Sequence, residues 1–199
     1  MAHILTNTRL SQKSYITTMG QIRITGGSHR SRKITVEDQP GLRPTADRIR
    51  ETLFNWLGNN LSGHHVLDLY TGSGILAFEA ASRGAESVTC IDNNFKTIKQ
   101  LQENLHRLNF KQIKVKQQNA IQFINHCEQS FDLIFLDPPF DSNELNPISG
   151  IISPLIRTAG LIYREYAVSQ DVDPMDDNLW DLIKQKKAGQ VQFEIWQKR

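Results

Sequence analysis

Asp137-Pro138-Pro139-Phe140 is a stretch whose residue types could do chemistry together. It follows Phe131 to Leu136, an unbroken run of mostly apolar residues. Such a run suits a central strand of a parallel sheet covered on both faces. Ligands of open α/β sheets bind beyond the carboxyl ends of the strands, so the tetrapeptide belongs in a pocket. The two prolines fix φ and carry no N–H. What they leave is a rigid row of acceptors, the Asp137 carboxylate and the Pro138 carbonyl, with Phe140 as an aromatic face. This equipment suits methylation of an exocyclic base amine. Such an amine is nearly planar and weakly nucleophilic, because its lone pair is delocalised into the ring. Two acceptors on its hydrogens localise the pair and aim it, and Phe140 stacks on the base, a contact worth about 1–3 kcal/mol. A plain turn after a strand would not need an acid, two prolines and an aromatic side by side.

The methyl donor needs its own cradle, and Val66 to Asp92 reads as strand, glycine turn, helix, stop at Gly84, and second strand. Gly72 and Gly74 bring the backbone of Asp68 to Gly74 close to a ligand, with Tyr70, Thr71 and Ser73 in the same turn. Asp92, about 20 residues beyond the glycines, ends the second strand where a carboxylate can accept both ribose hydroxyls, with Asn93 next to it. Gly72-Ser-Gly74-Ile-Leu-Ala77 also fits the dinucleotide pattern G-x-G-x-x-G/A, so NAD stays open on spacing alone. Asp68 favours S-adenosyl-L-methionine. A pyrophosphate would be repelled by this carboxylate, whereas a sulfonium and an ammonium would be attracted. Asn119-Ala120 opens a short helix after a third strand, at the place expected for the adenine; Asn119 can bond the ring, cap the helix, or do both.

The elements that must position these residues are legible as well. Ile98, Leu101, Leu105 and Leu108 recur at helical spacing, with Asn109 as a stop. Ile49, Leu53, Trp56 and Leu57 make a second stripe, entered through Thr45 as N-cap with Asp47 in the first turn. Ile148 to Arg157 reads as a helix shortened or kinked by Pro154. Leu161 to Tyr166 reads as a strand, and Leu179–Ile183 with Val191–Trp196 as a closing hairpin. Ile22 and Ile24, then Ile34 and Val36, alternate around Gly26-Gly27 as a two-strand ribbon.

Charge is distributed unevenly. Residues 1–51 carry nine Lys or Arg and four acids, a net +5, while the remainder is −3. A basic front on a mildly acidic body points to a polyanion. Arg23, Arg30, Arg32 and Lys33 on the ribbon, with Arg43, Arg48 and Arg50 at the next helix, are the candidate residues for binding RNA or DNA, while Arg48 and Arg50, off the apolar stripe, can equally be ordinary helix surface or a clamp over cofactor and substrate. The organisation expected is a flexible arm over 1–19, a basic ribbon over 20–44 and a catalytic domain over 45–199. No apolar run approaches a membrane span, and the first 20 residues lack an apolar signal core, so a cytoplasmic protein is expected. Cys90 and Cys127 form no C-x-x-C, and the six histidines show no ligand spacing, so no metal is expected.

Asp-Pro-Pro-Phe resembles the amino-methyltransferase motif (Asp/Asn/Ser)-Pro-Pro-(Tyr/Phe). Together with Ile22-Arg-Ile-Thr-Gly-Gly27, Arg30-Ser-Arg-Lys33, Leu42-Arg-Pro-Thr through Leu57, and Asp68-Leu-Tyr-Thr-Gly-Ser-Gly74, it makes the chain similar to the RsmD family from about Gln21 to Trp196. The resemblance implies a Rossmann-like class I S-adenosylmethionine-dependent methyltransferase fold. That fold is α/β, with a mostly parallel seven-stranded sheet, a C-terminal antiparallel hairpin and a small N-terminal β-ribbon. It implies transfer of methyl to N2 of a guanine in 16S ribosomal RNA, free or in the assembling small subunit, by a monomer. Asp68, Gly72, Gly74 and Asp92 would then bind the cofactor, and Asp137 to Phe140 the guanine. Tyr70-Thr71 stands where the family commonly has Phe-Ala, and Asn119 where Asp is frequent. The same tetrapeptide also serves DNA adenine-N6 or cytosine-N4 methylation, although the chain has little room for a separate DNA-reading domain. Charge reversal at Arg30 and Arg32 is expected to weaken RNA binding and to reduce its salt slope, by roughly 0.7–0.9 for each phosphate no longer neutralised. An unchanged slope would remove the ribbon from the interface.

Overall fold

The computed structural model describes residues 19–37, 44–140 and 142–199. The expected arm, apart from Met19, lies outside these residues. So do Arg43 and the side chain of Thr45, the expected helix cap. Strands β1 (Met19–Arg23) and β2 (Lys33–Glu37) pair antiparallel with Ile22 opposite Ile34. Ile22, Ile24, Ile34 and Val36 turn inward, while Arg23, Arg30, Arg32 and Lys33 stay exposed. The ribbon therefore has the two faces that its alternation implies.

The main sheet contains β3 (His65–Asp68), β4 (Ser87–Asp92), β5 (Ile113–Gln117), β6 (Phe131–Leu136), β7 (Ile156–Ala167), β8 (Trp180–Ala188) and β9 (Val191–Lys198). Its order is β5-β4-β3-β6-β7-β9-β8. The first five strands are parallel, and β9 runs antiparallel between β7 and β8. This is the expected Rossmann-like architecture with its closing hairpin. From β3 the chain moves outward to β4 and β5, then returns to place β6 on the other side. The switch between β3 and β6 opens a crevice at their carboxyl ends.

Helices α1 (Pro44–Leu57), α2 (Ile75–Ser82), α3 (Phe95–Leu108), α4 (Ala120–His126) and α5 (Leu145–Ile151) cover the sheet. Asn109 ends α3 in the left-handed conformation, with φ 57°. Pro154 sits in a 3₁₀ turn, Ser153–Leu155, so the expected helix at Ile148 stops short as anticipated. β7 begins earlier than the Leu161 expected, at Ile156. Among the described residues no helix is long and apolar enough to cross a membrane.

The ribbon shares the core of the sheet. Its four aliphatic residues pack in one cluster with Leu53, Phe54 and Phe78. Polar contacts fix the docking. Asn104, buried on α3, accepts from Thr35 N at 2.9 Å and donates to Thr35 O at 2.7 Å, so it substitutes for a neighbouring strand. Gly27 lies so close to α2 that a Cβ there would sit 1.9 Å from Ser82 O, at a φ of 75°. Glu79, fully buried on α2, is the hub. Its Oε1 accepts from Thr25 N at 2.7 Å, Thr25 Oγ1 at 2.8 Å and Arg50 Nε at 3.0 Å, and its Oε2 pairs with Arg83.

This hub corrects the expectation for Arg50. Expected on an RNA-facing surface, it is only 4% exposed, and its guanidinium is engaged with Glu79, Asp47 and the Arg23 carbonyl. A charge this deep needs a partner, and Glu79 supplies it. Arg48 is exposed, as expected.

Glu79→Ala would leave the buried Arg83 guanidinium without its counter-charge and Arg50 with only the exposed Asp47, a loss of about 3–5 kcal/mol. For a chain of this size the melting temperature should fall by roughly 10 °C, with faster amide exchange over residues 19–37. A fall of under about 2 °C would mean that the hub does not hold the ribbon.

Candidate active site

A cleft of about 1720 Å³ opens at the carboxyl ends of β3, β4, β6 and β7. It brings together stretches far apart in the chain: Asp68 to Ser73, Asp92-Asn93, Asn119-Ala120 and Asp137 to Phe140 all line it. Arg23, Lys33 and Arg50 reach its wall from the front of the chain. Arg30 instead lines a separate cavity of about 460 Å³ beside Arg83.

Asp68 ends β3 and is 2% exposed, and its Oδ2 has no hydrogen-bond partner. Burial, then the charge of Asp92, pushes its carboxyl up to about 7, against a bond from the Ala77 backbone that pulls the other way. An orphaned buried carboxylate at a cleft wall is a site awaiting a positive or hydrogen-bond-donating group. Cys90, next to Asp68 across the sheet, is fully buried, and burial and Asp68 raise its thiol pKa well above the ordinary value, so it is inert.

The loop after Asp68 is tied down by its own residues. The Thr71 hydroxyl donates to Asp68 O at 2.8 Å and Ile91 O at 3.1 Å, so the side chain expected near the cofactor locks the turn. Asp92 accepts from Gly72 N at 3.0 Å and Asn94 N at 2.8 Å, which bridges the two strand ends. Its oxygens keep further lone pairs for hydroxyl groups. Gly72 lines the cleft, and a Cβ there would meet nothing nearer than the Tyr70 carbonyl oxygen at 3.9 Å. Gly74 makes the sharp turn expected of it, with φ 79°, but differs in what it faces. It does not line the cleft, and a Cβ there would lie 2.2 Å from Leu101 Cδ2 on α3, so its role is close packing under the loop. Asn119 caps α4 by accepting from Gln122 N at 3.1 Å and lines the cleft as well. The Tyr70 hydroxyl is buried beside Glu144; burial and that carboxylate keep it protonated.

The Asp137 corner stands opposite. Pro138 is buried and Phe140 is 42% exposed, with its ring at the cleft. The Pro139 carbonyl accepts from Ser142 N at 2.9 Å, which closes the turn. Burial, then Glu165, then Asp68 raises the Asp137 carboxyl well above the usual carboxylate range.

Glu165 and Tyr163 on β7 also line the cleft, and sequence reasoning missed both. A signal existed. Glu165 is an acid late in a strand of a parallel sheet, at the end where ligands bind. Burial raises its pKa too, against a hydrogen bond from Tyr163 that lowers it.

Fold and site together define a class I, Rossmann-like methyltransferase. The family model for conserved hypothetical protein 95 matches residues 22–197. Ribosomal RNA small subunit methyltransferase D of Escherichia coli is 39% identical over 181 residues, covering 90% of this chain and 91% of that protein. Its counterpart in Haemophilus influenzae is 36% identical over 184 residues, covering 89% and 94%. The solved structure of yhhF from Escherichia coli superposes with a TM-score of 0.82 at 36% identity, covering 90% of this chain and 99% of that one. The fold extends to a Thermus thermophilus 16S rRNA N2 methyltransferase, RsmC, solved with AdoMet and guanosine, with a TM-score of 0.65 at 19% identity. It covers 92% of this chain and 50% of that one. The chain belongs to the ribosomal RNA small subunit methyltransferase D family.

Asp68 generates a test. Its folded value of about 7 lies above the ordinary 3.8, so the ligand-free protein holds an extra proton between these limits. Stability therefore falls as pH rises through that window, by up to about 4 kcal/mol. Asp68→Asn removes this fall. Its melting temperature should exceed that of the wild type at pH 8 and converge with it near pH 4, while affinity for S-adenosylmethionine is lost. A lower melting temperature at pH 8 would overturn the assignment of Asp68 as an uncompensated carboxyl.

Proposed function

We propose that the protein transfers a methyl group from S-adenosylmethionine to the exocyclic N2 amine of a guanine in small-subunit ribosomal RNA, in the cytoplasm. The observation that carries this reading is one cleft walled by both the Gly72 loop with its orphaned Asp68 and the Asp137–Phe140 corner. The residues present fit the cofactor. Asp68 offers a carboxylate to its positive charge, Asp92 accepts from ribose hydroxyls, and Asn119 keeps amide capacity for the adenine after capping α4. When bound, S-adenosylmethionine supplies an electrophilic methyl group on a positively charged sulfur.

The chain's own part is orientation and charge. Asp137 and the Pro138 carbonyl accept the two amine hydrogens, and Phe140 stacks on the base. The amine nitrogen becomes cationic as it gains a methyl group and must then release a proton. The Asp137 carboxylate, whose burial raises its proton affinity, is placed to take it. Preorganised acceptors at the point where charge develops are worth about 3–4 kcal/mol each in comparable sites. A base in a duplex or folded RNA must leave its stack to reach this corner, which requires base flipping. The exposed Arg23, Arg30, Arg32, Lys33 and Arg48 give the front of the molecule a basic surface for the phosphates.

The test is incubation of the protein with labelled cofactor and small-subunit RNA or subunits from cells lacking it, followed by nucleoside mass spectrometry. N2-methylguanosine is the expected product; N6-methyladenosine or N4-methylcytidine would overturn the reading. Asp137→Ala should lower turnover by about 10²–10³-fold. Phe140→Ala should lower it about 5–150-fold, the equivalent of 1–3 kcal/mol of stacking, with cofactor affinity unchanged. Collapse of cofactor binding in the Phe140 variant would contradict its stacking role.

A further inference from the structure

Glu165 is a cleft carboxyl that the mechanism above leaves without a task. β6 and β7 run parallel with Leu136 beside Arg164, so the next step of that register sets Asp137 beside Glu165. Both line the cleft, with the unpartnered Asp68 on the other side of β6. No Lys or Arg forms an ion pair with any of the three among the described residues. Tyr163, which is fully buried two residues earlier on β7, donates its hydroxyl to Glu165 Oε2. That bond fixes the carboxyl group and leaves Oε1 as the oxygen available to a ligand. The pair thus offers two oriented acceptors on neighbouring strands, about 4.8 Å apart in the sheet.

Base chemistry says what two adjacent acceptors select. Three bases carry an exocyclic amine. In adenine the ring nitrogen beside the amine, N1, is an acceptor, and in cytosine N3 is an acceptor too. Only guanine presents a donor there, the N1–H next to the N2 amine. A carboxylate beside the amine-binding corner therefore attracts guanine and repels the lone pairs of the other two. We propose that Glu165 is the residue that reads guanine: its Oε1 accepts the N1–H while Asp137 and the Pro138 carbonyl hold the amine. Accepting that hydrogen also pushes electron density from N1 toward the amine nitrogen, so the contact raises nucleophilicity as well as selecting the base. The inference rests on the guanine-N2 function proposed above.

The test uses wild-type protein and Glu165→Gln on small-subunit RNA that carries guanine or 2-aminopurine at the position the wild type methylates. 2-Aminopurine keeps the amine, but its N1 is an acceptor. Wild type is expected to prefer guanine by at least about tenfold, because a site built for an N–H rejects an analogue lacking it. Glu165→Gln, whose amide can donate to N1, should lose rate on guanine, gain on 2-aminopurine, and so narrow or invert the ratio. Cofactor affinity by calorimetry should be unchanged. An equal fall on both substrates would reduce Glu165 to a structural role and overturn the inference. So would a wild type that uses both bases equally, a result independent of how the variant folds. A wild type that makes no N2-methylguanosine in natural RNA would instead overturn the function on which the inference rests.

Discussion

Three carboxyl groups crowd the carboxyl ends of three adjacent parallel strands, Asp68 on β3, Asp137 after β6 and Glu165 on β7, and no Lys or Arg pairs with them among the described residues. Burial works against all three charges, joined by repulsion from Glu165 and Asp68 at Asp137 and from Asp92 at Asp68, so each holds a proton more tightly than it would in water. Such a cluster makes sense in a site that receives a positively charged donor on one side and a hydrogen-bond-donating base edge on the other. The ligands supply the compensation that the protein withholds. The same constraint explains why this wall of the cleft is formed by strand ends. Strands paired in the sheet hold the acids at fixed spacing against their repulsion.

Everything around the cluster serves to hold that wall still. Asp92 clasps the turn through the Gly72 amide, Thr71 bonds two carbonyls, and Gly74 lets α3 press on the loop from below. On the outer side, Glu79 joins the ribbon, α1 and α2 through one buried carboxylate. α2 begins immediately after the glycine turn, so the hub joins the basic front of the molecule to the helix that follows the Gly72 loop at the cleft. The two buried acid systems are opposites. Glu79 is compensated by two arginines, whereas Asp68 has no counter-charge and one oxygen without a hydrogen-bond partner.

Much of this was legible in the chain. Alternation at Ile22 and Ile24, the helical stripe from Ile98 to Leu108, the glycine turn and the apolar β6 each follow from a period or a backbone requirement that neighbouring residues impose. The Asp137 corner was legible because two prolines leave few conformations open. The surroundings of Arg50 and of Gly74 differ from those expected, each for the same reason. A residue's type tells what it can bond, but its partner here comes from a distant segment: Glu79 for Arg50, Leu101 for Gly74. Asn104 and Phe54 were missed because nothing in their local pattern marks them out, and Glu165 because its one local mark, an acid late in a strand, gains meaning only from what the fold places beside it.

The sequence by itself determined the order of elements, which residue types stand at the strand ends, and the family, because local periodicity, proline and glycine constraints and short motifs act over a few residues. Only the tertiary structure decided which charges are compensated and which are left waiting. That choice depends on desolvation and on proximity between residues tens of positions apart, as with Thr25 and Glu79 or Asp137 and Glu165. No local pattern encodes the dielectric surroundings of a side chain, and in this protein those surroundings separate a buried structural arginine from an exposed one and a compensated acid from one left without a counter-charge.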